Sequence, residues 1–373
     1  MQQKEQVALL RKCLELVVAG STQLGERQGF SPISRYQDVA GFEREIERLF
    51  RRLPVPLVHA SKIPGSGDFR VVETHRGSIL VTRDDQGKVR AFHNVCRHRG
   101  TQLVNEDRGC AQRFVCPYHA WTYSSQGQLV GVPHGDSCFP ELDREQSGLV
   151  PVRVEQRFGF LWAVADDIRF EEYFAGLEVE LDGLGLESHQ VFAEDRHLWR
   201  SNWKLVAEGG LESYHFRQAH KATIAPYFYD NLSIYDQFGP HFRSVLPKRN
   251  LDELKSLPED EWRLRDYTHL TYALFPMMTL LVQADHVVWV HAKPLAVDQT
   301  EIAVITLVPS SEADRKDYWR TNHDITTATL KEDFALAESI QKGLVSGANQ
   351  ALTFGRNEAA LPALQQVVES YTC

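Results

Sequence analysis

The spacing of apolar positions divides the chain into three textures. Near the start, Val7, Leu10, Leu14 and Val17 recur at three- and four-residue steps, which predicts a helix over Glu5–Val18. A second helix is expected over Gly41–Arg51, with Phe42, Ile46 and Phe50 on one face and Pro54 and Pro56 stopping it. From there to about residue 165, short β-branched and aromatic runs alternate with turns, and Asp85-Gln86-Gly87 and Ser125-Gln126-Gly127 read as hairpin turns. The rest mixes both periods. Trp199–His220 reads as largely helical and Thr279–Val308 as two or three long strands. Ile325–Val345 reads as a helix, with Leu330, Phe334, Ala337, Ile340, Gln341 and Leu344 roughly in register. The expected fold class is therefore α+β. A small all-β domain (54–165) is inserted between a helical arm (1–53) and a larger helix-and-antiparallel-sheet domain (166–373) against which the arm packs.

Composition narrows the function. Of the 373 residues, 43% are hydrophobic and 24% charged, the balance of an ordinary globular chain. A net charge of −9 is a poor match to phosphate backbones, so nucleic acid is not an expected partner. No apolar run approaches the ~20 residues of a membrane helix, and the charged start carries no clear cleavage site. Six cysteines are too sparse for a disulfide scaffold, so a reduced, cytoplasmic setting is expected in which thiols can bind metal.

Two constellations carry chemistry. In the first, Cys96-Arg97-His98-Arg99-Gly100 is followed by Cys116-Pro117-Tyr118-His119-Ala120-Trp121, so two short loops can each give one thiolate and one imidazole. That donor set suits a Cys2His2 zinc site or a two-iron, two-sulfide cluster with both Cys on one iron and both His on the other. Cys13, Cys110, Cys138 and Cys373 lie outside this pattern and are expected to be packed or free thiols.

In the second, Glu208, Glu212 and His215 stand at i, i+4 and i+7, which one helix face would stack. His220 is five after His215, so two ligands for one metal need a helix end or a π-type bulge between them. Gly209 and Gly210 already loosen this helix. Two His and one carboxylate make the facial triad of non-haem Fe(II) oxygenases. The best source of the carboxylate is Lys331-Glu332-Asp333-Phe334, although a His pair beside acids is, taken alone, more often a solvated helix face.

C-x-H-R-G followed by C-P-Y-H-x-W resembles the Rieske motif of the Rieske non-haem iron oxygenases. The likeness runs from Phe92 to Pro133, including the W-T-Y-x-x-x-G-x-L-x-G-x-P tail. N-W-K, then E-x-x-H-x-x-x-x-H, is similar to the iron-binding signature of the same family. The run E-D-x-x-x-x-E-x-x-Q-x-G-L over Glu332 to Leu344 is similar to its third-ligand segment. The resemblance covers nearly the whole chain and is weakest from about 235 to 275. It implies that Cys96, His98, Cys116 and His119 hold a [2Fe-2S] cluster, and that His215, His220 and Asp333 hold a mononuclear Fe(II), with Glu332 the competing carboxylate. It also implies a homotrimer, in which Glu212 joins His215 to His119 of the neighbouring subunit. The position of Glu212 is usually Asp in ring-hydroxylating members, while those resembling carnitine, choline or betaine monooxygenases carry Glu. Gly209 stands where the family often has Asn, which bears on the pocket.

Tyr227, Phe228, Tyr229, Tyr235 and Phe238 form an aromatic-rich stretch after the His pair. An aromatic cage for a quaternary ammonium is one reading, but core or pocket packing is preferred. His286 and His291 are expected as hydrogen-bonded histidines of the sheet. No G-x-G-x-x-G follows a strand, and no C-x4-C-x2-C spacing offers a second cluster. The expected function is a terminal oxygenase component. It uses O2, and NAD(P)H only indirectly through a separate reductase, directly or through a ferredoxin, to monooxygenate a small organic substrate. Hydroxylation at carbon beside nitrogen is favoured. The alternatives are arene dihydroxylation and, in another class, a Rieske electron carrier without oxygenase activity.

Overall fold

The computed structural model describes residues 1–373, which form two compact units. One comprises Phe50–Phe170 and the other Met1–Leu49 with Glu171–Cys373. No helix is long and apolar enough to cross a membrane.

The Phe50–Phe170 unit is built of short antiparallel strands. These are β1 (Val55–His59), β2 (Asp68–Thr74), β3 (Gly77–Arg83), β4 (Val89–His93), β5 (Arg108–Cys110), β6 (Arg113–Val115), β7 (Thr122–Ser124), β8 (Leu129–Gly131), β9 (Val154–Arg157) and β10 (Phe160–Ala163). They form sheets of order β4-β3-β2-β5, β6-β7-β8 and β9-β10-β1. Both expected hairpin turns are present, joining β3 to β4 and β7 to β8. The second depends on glycine twice over. Gly127 has φ +88°, and a Cβ there would lie 2.4 Å from the Phe92 ring. Phe69, Leu80, Phe92, Phe114, Trp121 and Tyr123 make one core, and Cys96 and Cys116 are part of it.

The larger unit contains α1 (Gln3–Ala19) and α2 (Val39–Glu45), then β11 (His189–Trp199), α3 (Trp203–Gly209) and α4 (Phe216–Ala219). Strands β12 (Ile234–Phe238), β13 (His241–Pro247), β14 (Thr268–Leu274), β15 (Met278–Val282), β16 (Val287–Ala296) and β17 (Gln299–Pro309) follow, with α5 (Lys316–Leu344) and α6 (Ala360–Thr372) closing the chain. The seven-stranded antiparallel sheet has the order β11-β17-β16-β15-β14-β13-β12.

Three elements depart from the expected pattern. Trp199 ends a strand, and the stretch to His220 is two short helices separated by Gly210–His215 rather than one helix. Helix α5 begins at Lys316, nine residues before the expected start. Its first half is anchored by polar contacts that apolar periodicity cannot register: His323 is fully buried, with Nδ1 2.8 Å from Thr306 Oγ1 and Nε2 3.2 Å from Asp195 Oδ2. Ile340 stands 43% exposed at the edge of the α5 stripe. The second N-terminal helix ends at Glu45 and continues as a π-turn over Ile46–Phe50, with Glu45 itself facing inward.

Glu45 explains part of the N-W-K motif. Its carboxylate accepts from Trp203 Nε1 at 2.8 Å and from Lys204 Nζ at 2.7 Å, all within the buried interior. Asn202 Oδ1 caps α3 at Lys204 N, while Asn202 N donates to Gln341 Oε1 at 2.9 Å. Glu338 Oε1 accepts from Arg200 N at 2.7 Å. These contacts clamp α5 to the start of α3. Glu45→Ala would strand a buried ammonium, so it is expected to cost about 3–5 kcal/mol. Chemical denaturation measures this, and a loss under about 1 kcal/mol would show that Lys204 tolerates neutrality there.

Candidate metal centres

The two Cys/His loops are built alike. Cys96 N donates to Thr101 O and Gly100 N to Cys96 O; Cys116 N donates to Trp121 O and Ala120 N to Cys116 O. The fourth residue after each Cys is left-handed, Gly100 at φ +75° and Ala120 at φ +57°. Each turn folds its Cys inward and returns the chain outward within five residues. Cys96 and Cys116 are 2% and 3% exposed and unpaired by any disulfide. His119 is exposed, and its ring lies 4.7 Å from that of His98. His98 stacks on Trp121, centroids 4.8 Å apart.

This donor set fits a metal cluster. Burial, relieved in part by the Tyr123 hydroxyl 3.3 Å from its sulfur, raises the Cys96 pKa, and a metal bound there would displace the thiol proton. His98 Nδ1 is buried with no hydrogen-bond partner, and burial together with His119 lowers its pKa. A neutral imidazole with an unused Nδ1 is a ligand in waiting.

The second centre assembles from three places in the sequence. His215 precedes α4 and His220 follows it, so one helical turn holds their Nε2 atoms 3.2 Å apart. Asp333, from the middle of α5, places Oδ1 3.3 Å from His215 Nε2 and 2.9 Å from His220 Nε2. The three ligand atoms all lie within 4.8 Å of one another, which suits one metal ion. Behind them stand two more carboxylates. Glu212 bonds His215 Nδ1 and accepts from the backbone N–H groups of Tyr214 and His215. Glu332 Oε2 lies 2.8 Å from His220 Nδ1 and accepts from Thr223 Oγ1 at 2.7 Å. Each Nδ1–H is thereby pledged to a carboxylate, leaving Nε2 to ligate. The two adjacent acids of α5 thus divide the work: Asp333 faces the ligand site and Glu332 backs His220.

Glu208 does not join this group. The break at Gly210 turns it away, and it accepts from Tyr36 Oη at 2.7 Å. Burial pushes its pKa up to about 7.

Without metal the site holds protons. Burial opposes charge on all three groups but is outweighed. Asp333 and Glu212 push the pKa of His215 up to about 10, Asp333 and Glu332 raise that of His220, and the two imidazoles lower that of Asp333. Below about pH 10 the metal-free His215 is an imidazolium and must lose a proton to ligate. Fe(II) uptake should therefore release protons and tighten by roughly tenfold per pH unit as pH rises from about 6.5 to about 8.5. Chelator competition across that range measures this; a pH-independent affinity would contradict it.

A cavity of about 460 Å³ opens beside the triad. Its lining on α5 runs from Asp333 back to Tyr318, roughly 22 Å at the helical rise. One face of the sheet forms a wall, in which Ser244 and Leu246 pair across β13/β14 with Thr271 and His269, and Thr271 pairs with Leu281. Next to the triad, Leu211, Phe216, Phe228 and Leu330 make the surface apolar. At the other end Asp285 bonds His286 Nδ1 at 2.8 Å and Tyr318 Oη at 2.5 Å, contacts that hold its pKa down to about 2.

The aromatic stretch divides. Tyr227 and Phe228 line the cavity, whereas Tyr229 lies under Arg249 and Phe238 under Arg243. Tyr235, on β12, is not part of the lining either, so the five form no single cage. His286 lies in the β15–β16 turn and lines the cavity, and His291 lies on β16 with its ring 5.5 Å from Trp289. Nothing local in the sequence marks Asp285, Tyr318 and Lys248, because only the packing of α5 over the sheet brings them to one cavity.

Residues 54–145 match the Rieske [2Fe-2S] domain, and residues 186–372 match the catalytic domain of the ring hydroxylating alpha subunit. The chain belongs to the Rieske non-haem iron oxygenases. It is 28% identical to the glycine betaine monooxygenase oxygenase subunit of Chromohalobacter salexigens, over 91% of this chain and 85% of that one. It is 36% identical to the 2-aminobenzenesulfonate 2,3-dioxygenase subunit alpha of Alcaligenes sp, over 48% of this chain and 47% of that one, so the match spans about half of that relative. The fold is shared with the quaternary ammonium Rieske monooxygenase CntA, at a TM-score of 0.79 and 22% identity over 92% of this chain and 96% of that one. As a family member the chain is an oxygenase that carries a Rieske cluster and a mononuclear iron and takes its electrons from a reductase. The alternative of a bare electron carrier, and that of a zinc protein, do not accord with this assignment.

Proposed function

We propose that this oxygenase monooxygenates an organic amine at a carbon beside nitrogen, releasing an aldehyde and a dealkylated amine, and that it works in the cytoplasm as a homotrimer. The observation that carries the reading is Glu212, with its extra methylene, seated on His215 Nδ1, in a chain whose near-full-length relative is a betaine monooxygenase. Cys96, His98, Cys116 and His119 would hold the cluster, and His215, His220 and Asp333 the iron. When bound, the two centres supply electrons and activate dioxygen. The remaining work falls to the chain. Glu212 and Glu332 fix the imidazole tautomers and hold the Nδ1 protons. Leu211, Phe216 and Phe228 exclude water beside the triad and press the substrate carbon toward it. In the trimer, the exposed His119 of one subunit would meet Glu212 of the next.

A second reading rests on the cavity. Its 460 Å³ and apolar inner half exceed what a small betaine fills and would also take an arene. One experiment separates the two. The reduced protein is given O2 in single turnover with N-methylated amines, betaines and arenes. Formaldehyde with a dealkylated amine is the expected result; a hydroxylated arene without aldehyde would replace the first reading by the second.

A further inference from the structure

A second, smaller chamber adjoins the metal site. It measures about 80 Å³, and its lining includes Asp333 and, shared with the main cavity, Gly209, Leu211 and Leu330. Most of the rest of its wall is carbon and sulfur, with Thr279 the one hydroxyl: Phe242, Phe275, Met278 and Leu364 are all at most 5% exposed. Trp203 also lines it, but the indole N–H is already given to Glu45. No charged side chain other than Asp333 reaches it. A small, predominantly apolar space of this kind takes apolar gases. Gly209 stands where the two spaces meet. A Cβ on it would find nothing within 4 Å, so the space beside it is open.

We propose that this chamber is a dioxygen site, which holds the gas beside Asp333 while the organic substrate occupies the main cavity. The inference rests on the oxygenase reading. Three properties select the occupant. The volume admits a diatomic molecule but not the body of an organic substrate that fills the 460 Å³ cavity. Apart from Asp333 and the Thr279 hydroxyl the lining is apolar, so a polar or charged substrate group would lose most of its hydration there with little return. Dioxygen has almost no hydration to lose. The chamber borders the metal site directly, since Asp333 of the triad is part of its lining.

The test uses xenon and two variants whose side chains line only the smaller chamber, Ala273→Leu on β14 and Ala292→Leu on β16. Xenon-pressurised crystals of the wild-type protein should show the gas in the chamber, and either variant should exclude it. With the N-methylated amine that turns over in the panel above, each folded variant should raise KM for O2 by at least about threefold and leave KM for the amine unchanged. Absence of xenon, or an unchanged KM for O2 in variants that exclude xenon, would overturn the proposal. A rise in KM for the amine alone would assign the chamber to the substrate and overturn it equally. A wild-type protein that consumes no O2 with any reductant and substrate would remove the oxygenase reading and the dioxygen site together. Normal O2 consumption with no xenon in the chamber would remove the dioxygen site alone.

Discussion

Replacing His220 by alanine is expected to abolish turnover, by more than about 100-fold, while the cluster survives. The loss must exceed the 10–100-fold typical of removing a group that only orients a ligand, because His220 is one of three proposed donors within 4.8 Å. Iron analysis should fall from about three to about two per chain, with the reduced-cluster EPR signal unchanged. The ring is 1% exposed and backed by Glu332, so its removal also leaves a cavity and takes from Glu332 one of its two partners, at a cost of roughly 2–3 kcal/mol that thermal melting should register. Asp333→Ala should behave in the same way. Glu332→Gln should weaken iron binding by only about 10–100-fold, since it removes the charge behind His220 and leaves all three donors. A third iron retained in His220→Ala would sink the ligand assignment. Complete iron loss in Glu332→Gln, with retention in Asp333→Ala, would exchange the roles of the two acids.

Glu212→Gln carries the other large effect. The amide keeps the length of the side chain and can still accept from His215 Nδ1–H, so both metal centres should load. The charge that would couple them is gone. Steady-state turnover should drop by about 100-fold or more, while chemical reduction of the cluster stays fast and its reoxidation by O2 in the presence of substrate becomes slow. Glu212→Ala is the less informative change, because Glu212 also holds the Tyr214 and His215 backbone N–H groups and its loss would loosen the ligand loop itself. Near-wild-type turnover in Glu212→Gln would end the idea of a carboxylate bridge. An active monomer on gel filtration would do the same for a bridge between subunits.

Much of this site was legible in the chain because its chemistry is local. The Cys96/His98 and Cys116/His119 loops are each a single turn, closed by backbone hydrogen bonds within five residues, so spacing alone conveys their geometry. His215 and His220 flank one turn of helix, and the five-residue interval, incompatible with one helix face, already called for the helix end that α4 supplies. Helix α1, the two hairpin turns and the long strands of the sheet likewise follow from short-range periodicity.

The misreadings share one physical origin, polar or charged groups satisfied inside. Glu45 enters the interior to meet Lys204 and Trp203, and the helix around it closes as a π-turn rather than a regular one. His323 is buried in the first half of α5 on Thr306 and Asp195, a polar anchor that apolar periodicity does not register, and α5 begins nine residues before the start that the periodicity predicts. Glu208 has the right spacing to face His215, but Gly209 and Gly210 end the helix and Tyr36, 172 residues away, takes its carboxylate. In each case the deciding partner is remote along the chain, so no window of sequence contains it.

The candidate donor atoms are written into the chain, since thiolates, imidazoles and carboxylates at fixed short spacings leave little conformational choice. Which of Glu332 and Asp333 faces the two imidazole Nε2 atoms is a matter of packing, because adjacent helical residues point about 100° apart and the placement of α5 against α3 turns Asp333 toward them. The cavity is likewise a tertiary property. Leu211, Leu246, Leu281 and Asp285 come from four separate segments, and no residue can signal in advance which others the fold will place across from it.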